Sequence, residues 1–127
     1  MILLTNSAAQ TVEPGAAVTF DTVIFQTGAG ECHRRGSSGV SMRCKGIYEA
    51  HFSANVSGTV PVELSIQAGG ETLNETIMVS NSAAAQNVST MTANRNCCDG
   101  YERITVVNTG AAAVTVENPK LYVKRVA

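Results

Sequence analysis

The chain has no tryptophan, three phenylalanines, three tyrosines, three prolines and two histidines in 127 residues. A sugar site that stacks its ligand on an exposed aromatic ring is therefore poorly supplied. Two histidines, His33 and His51, are too few for a His-rich metal centre. A lone histidine without a partner nucleophile does not make a catalytic site. No Gly-x-Ser-x-Gly elbow occurs, and no Asp-x-Asp-x-Asp calcium loop. Gly28-Ala29-Gly30 lacks both the lysine and the strand-to-helix setting of a phosphate loop. The carboxylates are scattered, with no paired spacing suited to acid–base work. The expectation is a protein that is not an enzyme and holds no cofactor or metal.

Long apolar runs are missing too. None approaches the ~20 residues that a membrane-spanning helix needs. Met1-Ile2-Leu3-Leu4 has no basic stretch before it and passes at once into Thr5-Asn6-Ser7, so no export signal is expected. Charged residues make up 15% of the chain and the net charge is −1. That balance gives no global field for nucleic acid or an anionic membrane.

What is abundant suits strands and turns: Val, Thr, Ala, Ser, Asn and Gly. From Gly46 to Gly70 the apolar residues fall at every second position. Tyr48, Ala50, Phe52, Ala54 and Val56 alternate with Glu49, His51, Ser53 and Asn55. After Ser57-Gly58-Thr59 the pattern resumes as Val60, Val62, Leu64, Ile66 and Ala68. A period of two over this length presents one dry face on a pleated strand and none on a helix. The short glycine-containing break predicts a hairpin. A sheet with one dry face must lie against a second layer.

Further strands are expected at Val18–Phe25, Leu73–Val79, Val88–Ala93, Ile104–Val107, Val114–Val116 and Leu121–Val126. A short one is expected at Val40–Cys44. This spacing belongs to an antiparallel sandwich or barrel, and the length suits one domain. Tyr122 alternates with Leu121 and Val123, so it points away from the core that they enter. His51 alternates out of the core and is expected beside Glu49 and Glu63, as an ordinary surface residue.

Residues 28–45 and 94–100 read as loops, and they carry the four cysteines, Cys32, Cys44, Cys97 and Cys98. A disulfide from Cys32 or Cys44 to Cys97 or Cys98 and a set of free thiols both remain open. A Cys₃His zinc site with His33 is disfavoured, because no Cys-x₂₋₄-Cys pair exists. Arg34, Arg35, Arg43 and Lys45 form the one basic concentration. It reads either as a contact for an acidic partner or as a solvated loop balanced by Glu31, Asp99 and Glu102.

Gly46-Ile47-Tyr48-Glu49-Ala50-His51-Phe52-Ser53-Ala54-Asn55-Val56 resembles the G-x-Y-x-x-x-F-x-x-x-V strand of the C1q/TNF-like jelly rolls. Val62 to Gly70 is similar to the V-x-L-x-I-x-x-N-G segment that follows it there. Ile104 to Gly110, Val114 to Val116 and Leu121 to Arg125 resemble the bacterial and phage branch of that fold. The collagen-like stalk common in the family is absent, and the cysteines are not general family features.

The resemblance implies an all-β antiparallel sandwich of jelly-roll topology, assembled as a homotrimer. It places the strand of Tyr48 and Phe52 and the strand of Tyr122 on the sheet nearest the threefold axis. Tyr48, Phe52, Tyr101 and Tyr122 are then the interface candidates, with an ordinary core role as the alternative for Tyr48 and Phe52. Residues 1–16 are expected as an N-terminal attachment arm and 17–127 as the jelly-roll domain. The expected function is a phage virion structural protein, a capsid decoration or a head or tail fibre. It would be made in the host cytoplasm and would contact itself, other virion proteins and a host glycan. A carbohydrate-binding β-sandwich module is the alternative.

Overall fold

The computed structural model describes residues 1–28, 31–32, 38–96 and 102–127, the side chains of 31 and 32 excepted. In chain order the strands are β1 (Ile2–Thr5), β2 (Gln10–Val12), β3 (Thr22–Gln26), β4 (Glu31–Cys32), β5 (Val40–Met42), β6 (Gly46–Gly58), β7 (Val62–Ala68), β8 (Glu71–Thr72), β9 (Met78–Ser80), β10 (Gln86–Asn96), β11 (Glu102–Asn108) and β12 (Val114–Arg125). One 3₁₀ turn, Asn74–Thr76, stands before β9. The first sheet runs β10-β6-β12-β1-β3, with β2 beside β12. The second runs β4-β5-β11-β7-β8, with β9 beside β7. All the pairings are antiparallel. The expected all-β antiparallel sandwich is what forms.

The two sheets meet through their dry faces. Tyr48, Ala50, Phe52, Ala54 and Val56 of β6 and Leu121 and Val123 of β12 face Leu64 and Ile66 of β7 and Ile104 and Val106 of β11 in one buried cluster. Each large side chain so buried contributes roughly 1.5–3 kcal/mol through the water it leaves.

Three expectations are corrected. β6 and β7 do not form a hairpin. A strand has two edges, and those of β6 are taken by β10 and β12, while β7 pairs with β11, β8 and β9. Residues 59–61 therefore carry the chain from one sheet to the other. Residues 1–16 are not an arm outside the core. β1 lies between β12 and β3, and Ile2 and Leu4 are fully buried. Of the four apolar residues that open the sequence, the alternate pair Ile2 and Leu4 completes the dry face. The segment 73–79 is not one strand. Thr76 turns it, its hydroxyl accepting from Ile66 N (2.9 Å) and donating to Leu73 O (2.6 Å). Met78 and Ser80 are then buried while Ile77 and Val79 are exposed.

Val18 and Phe20 are buried ahead of β3, so the apolar stretch from Val18 to Phe25 is divided between core and surface. At its middle Asp21 accepts from the Ser7 hydroxyl (2.6 Å), the Ser7 amide (3.1 Å) and the Thr22 hydroxyl (2.8 Å). These bonds, the Ser7 hydroxyl first, hold its carboxyl below the usual range.

No described buried side-chain polar atom lacks a partner. Asn108 shows why this matters. Its amide donates to Val12 O (2.9 Å) and Ala112 O (2.8 Å) and its oxygen accepts from Gly110 N (2.9 Å). One side chain thus ties β2 and the turn after β11 to the core. Asn108→Ala orphans these groups and is expected to cost about 2–3 kcal/mol, read as a lower urea midpoint at an unchanged slope.

Candidate assembly face

The register of the first sheet sets one row of side chains across its outer surface. Phe25 on β3 stands opposite Leu3 on β1, Leu3 opposite Tyr122 on β12, Tyr122 opposite His51 on β6, and His51 opposite Met91 on β10. The row crosses all five strands of the sheet's path, and its two ends are open to solvent: Phe25 is 38% and Met91 58% exposed. Tyr122 is the centre. Its ring meets Phe25 edge-on at 6.4 Å and His51 at 5.8 Å. Its hydroxyl lies 3.7 Å from the Met1 sulfur. A one-residue bulge between Leu3 and Leu4 brings Phe25 onto this row and leaves Ile24 protruding from the edge strand.

Polar rows flank it on both sides. Lys124 pairs with Glu49 on one side, and Glu49 reaches His51 at 3.8 Å. On the other side Lys120, Ser53 and Ser89 lie in register, with Asn87 donating to Asn55 (3.1 Å) one row further. A shallow groove of about 380 Å³ between Met91 and Lys120 follows the boundary. An apolar, aromatic centre within a polar margin is the composition of a protein–protein contact rather than of an ordinary wet face.

The expected interface residues divide. Tyr122 points outward and lies at the centre of the row. Tyr48 and Phe52 do not reach this face, which corrects their assignment to the interface. They leave β6 on the side opposite to His51, and both are buried within the subunit's own core. The Tyr48 hydroxyl finds its partner inside, donating to Cys44 O at 2.8 Å. Tyr101 lies outside the described residues.

Cys97, Cys98, Arg34 and Arg35 also lie outside the described residues, as does the Cys32 side chain. Cys44 is a half-buried free thiol. Arg43 and Lys45 are exposed on the turn before β6. Glu63 is on β7 in the second sheet, so it is no neighbour of His51. Among the described residues no three His, Cys, Asp or Glu side chains converge as a metal site would require.

Leu3, Phe25 and Met91 carry no signal of their own in the sequence. Each is one apolar residue on a different strand, and only the register aligns them.

This architecture defines a two-sheet jelly roll of the C1q/TNF-like kind. The subunit is similar to Eiger TNF from S. frugiperda (TM-score 0.69, 13% identity, 99% of this chain and 92% of that one). It is similar to the globular domain of zebrafish complement 1qA protein (TM-score 0.67, 11% identity, 95% and 94%). PRD1 vertex protein P5 shares the fold as well (TM-score 0.58, 14% identity, 99% and 96%). No protein-family model and no curated protein sequence matches the chain.

Proposed function

We propose that this chain is a non-enzymatic structural subunit of a virus particle, a capsid decoration or a fibre element, that works as a homotrimer. The observation that carries the assembly is the row Phe25–Leu3–Tyr122–His51–Met91. It crosses a whole sheet face with apolar and aromatic groups, which in a lone subunit would stay in water. Covering it with a second and third copy removes that surface from water and leaves the Lys124–Glu49 and Lys120–Ser53–Ser89 rows as the hydrated rim. The C1q/TNF-like resemblance of Gly46–Val56 supports closure at three copies.

The virion setting draws on the likeness to a vertex protein and on the phage-branch resemblance of the closing strands. A shell or fibre subunit needs a stiff body with few mobile chemical groups, and a sandwich with a continuous core supplies that. The expected partners are further copies of the chain and other proteins of the particle. Light scattering on the purified protein should return a mass of about three times the 13.3 kDa subunit at micromolar concentration. A single 13.3 kDa species overturns the assembly reading. Finding the protein absent from purified particles by mass spectrometry overturns the setting.

A further inference from the structure

At one end of the first sheet the ends of three strands and the turn before β6 enclose a second groove, of about 400 Å³. Lys45, Arg95 and Arg125 line it, and among the described residues no acidic side chain does. Ala127 also borders it. We infer that this groove is an anion-binding site for an acidic polysaccharide, whose sulfate or carboxylate groups Lys45, Arg95 and Arg125 would contact.

The groove is built rather than incidental. The turn that carries Lys45 is clamped from two sides. The buried Asn96 amide donates to Met42 O (3.2 Å) and Cys44 O (3.1 Å), and the buried Tyr48 hydroxyl also donates to Cys44 O. The end of the chain is held against β6, with Val126 N donating to Ile47 O (2.7 Å) and Ile47 N to Ala127 O (3.1 Å). Gly46 lets these parts approach. Its φ is +154°, and a Cβ there would meet Ala127 O and, at 2.6 Å, the Arg125 Nε. Ile47 and Arg95 are paired across β6 and β10, so Arg95 is fixed by the same register as the assembly face. Cations held by a fixed backbone lose less freedom on binding than those of a free loop.

The chemistry selects among polyanions. Guanidinium groups bind sulfate and carboxylate through paired N–H donors. Among the described lining residues none is aromatic, so they offer no stacking platform of the kind that single-stranded nucleic acid uses. Ile47, 41% exposed, offers an apolar surface beside the cations for the carbon face of a sugar ring. All of the described lining comes from one subunit, so binding does not need threefold assembly. In a trimer three such grooves would open at the same end and act together on one long chain.

The test uses fluorescent heparin as the acidic polysaccharide, neutral dextran and single-stranded DNA as comparisons, and anisotropy as the readout. The wild-type protein should bind heparin in a salt-sensitive way and leave dextran free. Lys45→Gln with Arg95→Gln should weaken heparin binding roughly tenfold or more, since two charge-assisted contacts go. Both side chains are exposed, so the doubly substituted chain should keep its gel-filtration volume and circular dichroism. Arg34→Gln with Arg35→Gln, the basic pair earlier in the sequence, should retain most of the binding. The inference is overturned by no heparin binding, by unchanged binding in the Lys45/Arg95 variant, or by loss confined to the Arg34/Arg35 variant. DNA bound as tightly as heparin overturns it as well.

Discussion

Tyr122→Glu should reduce the particle seen by light scattering from about 40 kDa to the 13.3 kDa subunit. Tyr122 is half-buried in the lone subunit, its ring between Phe25 and His51 at the centre of the outer row. A carboxylate there remains hydrated in a separate subunit, so the fold should survive with unchanged circular dichroism. In an assembly it would be enclosed by neighbouring copies with Leu3 and Phe25 beside it and no fixed cation on its row. Lys120 and Lys124, two residues away on the same face, offset part of that charge, and enclosing the carboxylate among apolar groups still costs about 2–3 kcal/mol, recurring in every subunit. That exceeds what a trimer of ordinary affinity can absorb at micromolar concentration. Tyr122→Phe keeps the ring and should stay assembled. If Tyr122→Glu sediments as the wild type does, the outer face of the first sheet is not the contact.

The second large effect concerns the first five residues. Leu4→Ala should cost about 2–5 kcal/mol, the range for a leucine wholly enclosed in a packed core. Ile2→Ala in the same chain should raise the loss further, though not additively, because both residues fill one layer. Removing residues 2–5 altogether should leave the chain unable to fold. β3 would lose β1, its one partner among the described strands, β12 would lose the pairing of Lys120–Val123, and the core would open at Ile2 and Leu4. Since a domain of this size holds about 5–15 kcal/mol in reserve, the combined loss is not survivable. Urea titration followed by circular dichroism measures the point substitutions. A well-folded truncated chain would restore the reading of this segment as a detachable arm.

The alternation from Tyr48 to Val56 was enough to assign β6, its dry face and the need for a facing layer. The pleat turns every second side chain the same way, whatever else the chain does. Tyr122 was legible for the same reason, lying between Leu121 and Val123. The nature of a residue was a poorer guide than its parity. Tyr48 resembles an interface residue, but its position on the dry face put its ring in the core and its hydroxyl on Cys44. His51, one step out of phase, faces outward beside Tyr122. The groove of Lys45, Arg95 and Arg125 was only one-third visible. Lys45 belonged to a basic cluster, while Arg95 and Arg125 were isolated cations on strands far away in sequence.

The sequence by itself determined that this protein is all strand, that it folds as two layers, and which face of its longest strands is dry. Those are consequences of local stereochemistry, since a period of two acts within a single strand. Which strands become neighbours was decided only by the tertiary structure. β6 and β7 part into opposite sheets, Ile2–Thr5 enters the middle of one of them, and Phe25, Leu3, Tyr122, His51 and Met91 fall into line. The physical reason is that pairing and register are chosen by how all the dry faces close on one core at once. That closure depends on the whole chain, and no single segment carries a record of it.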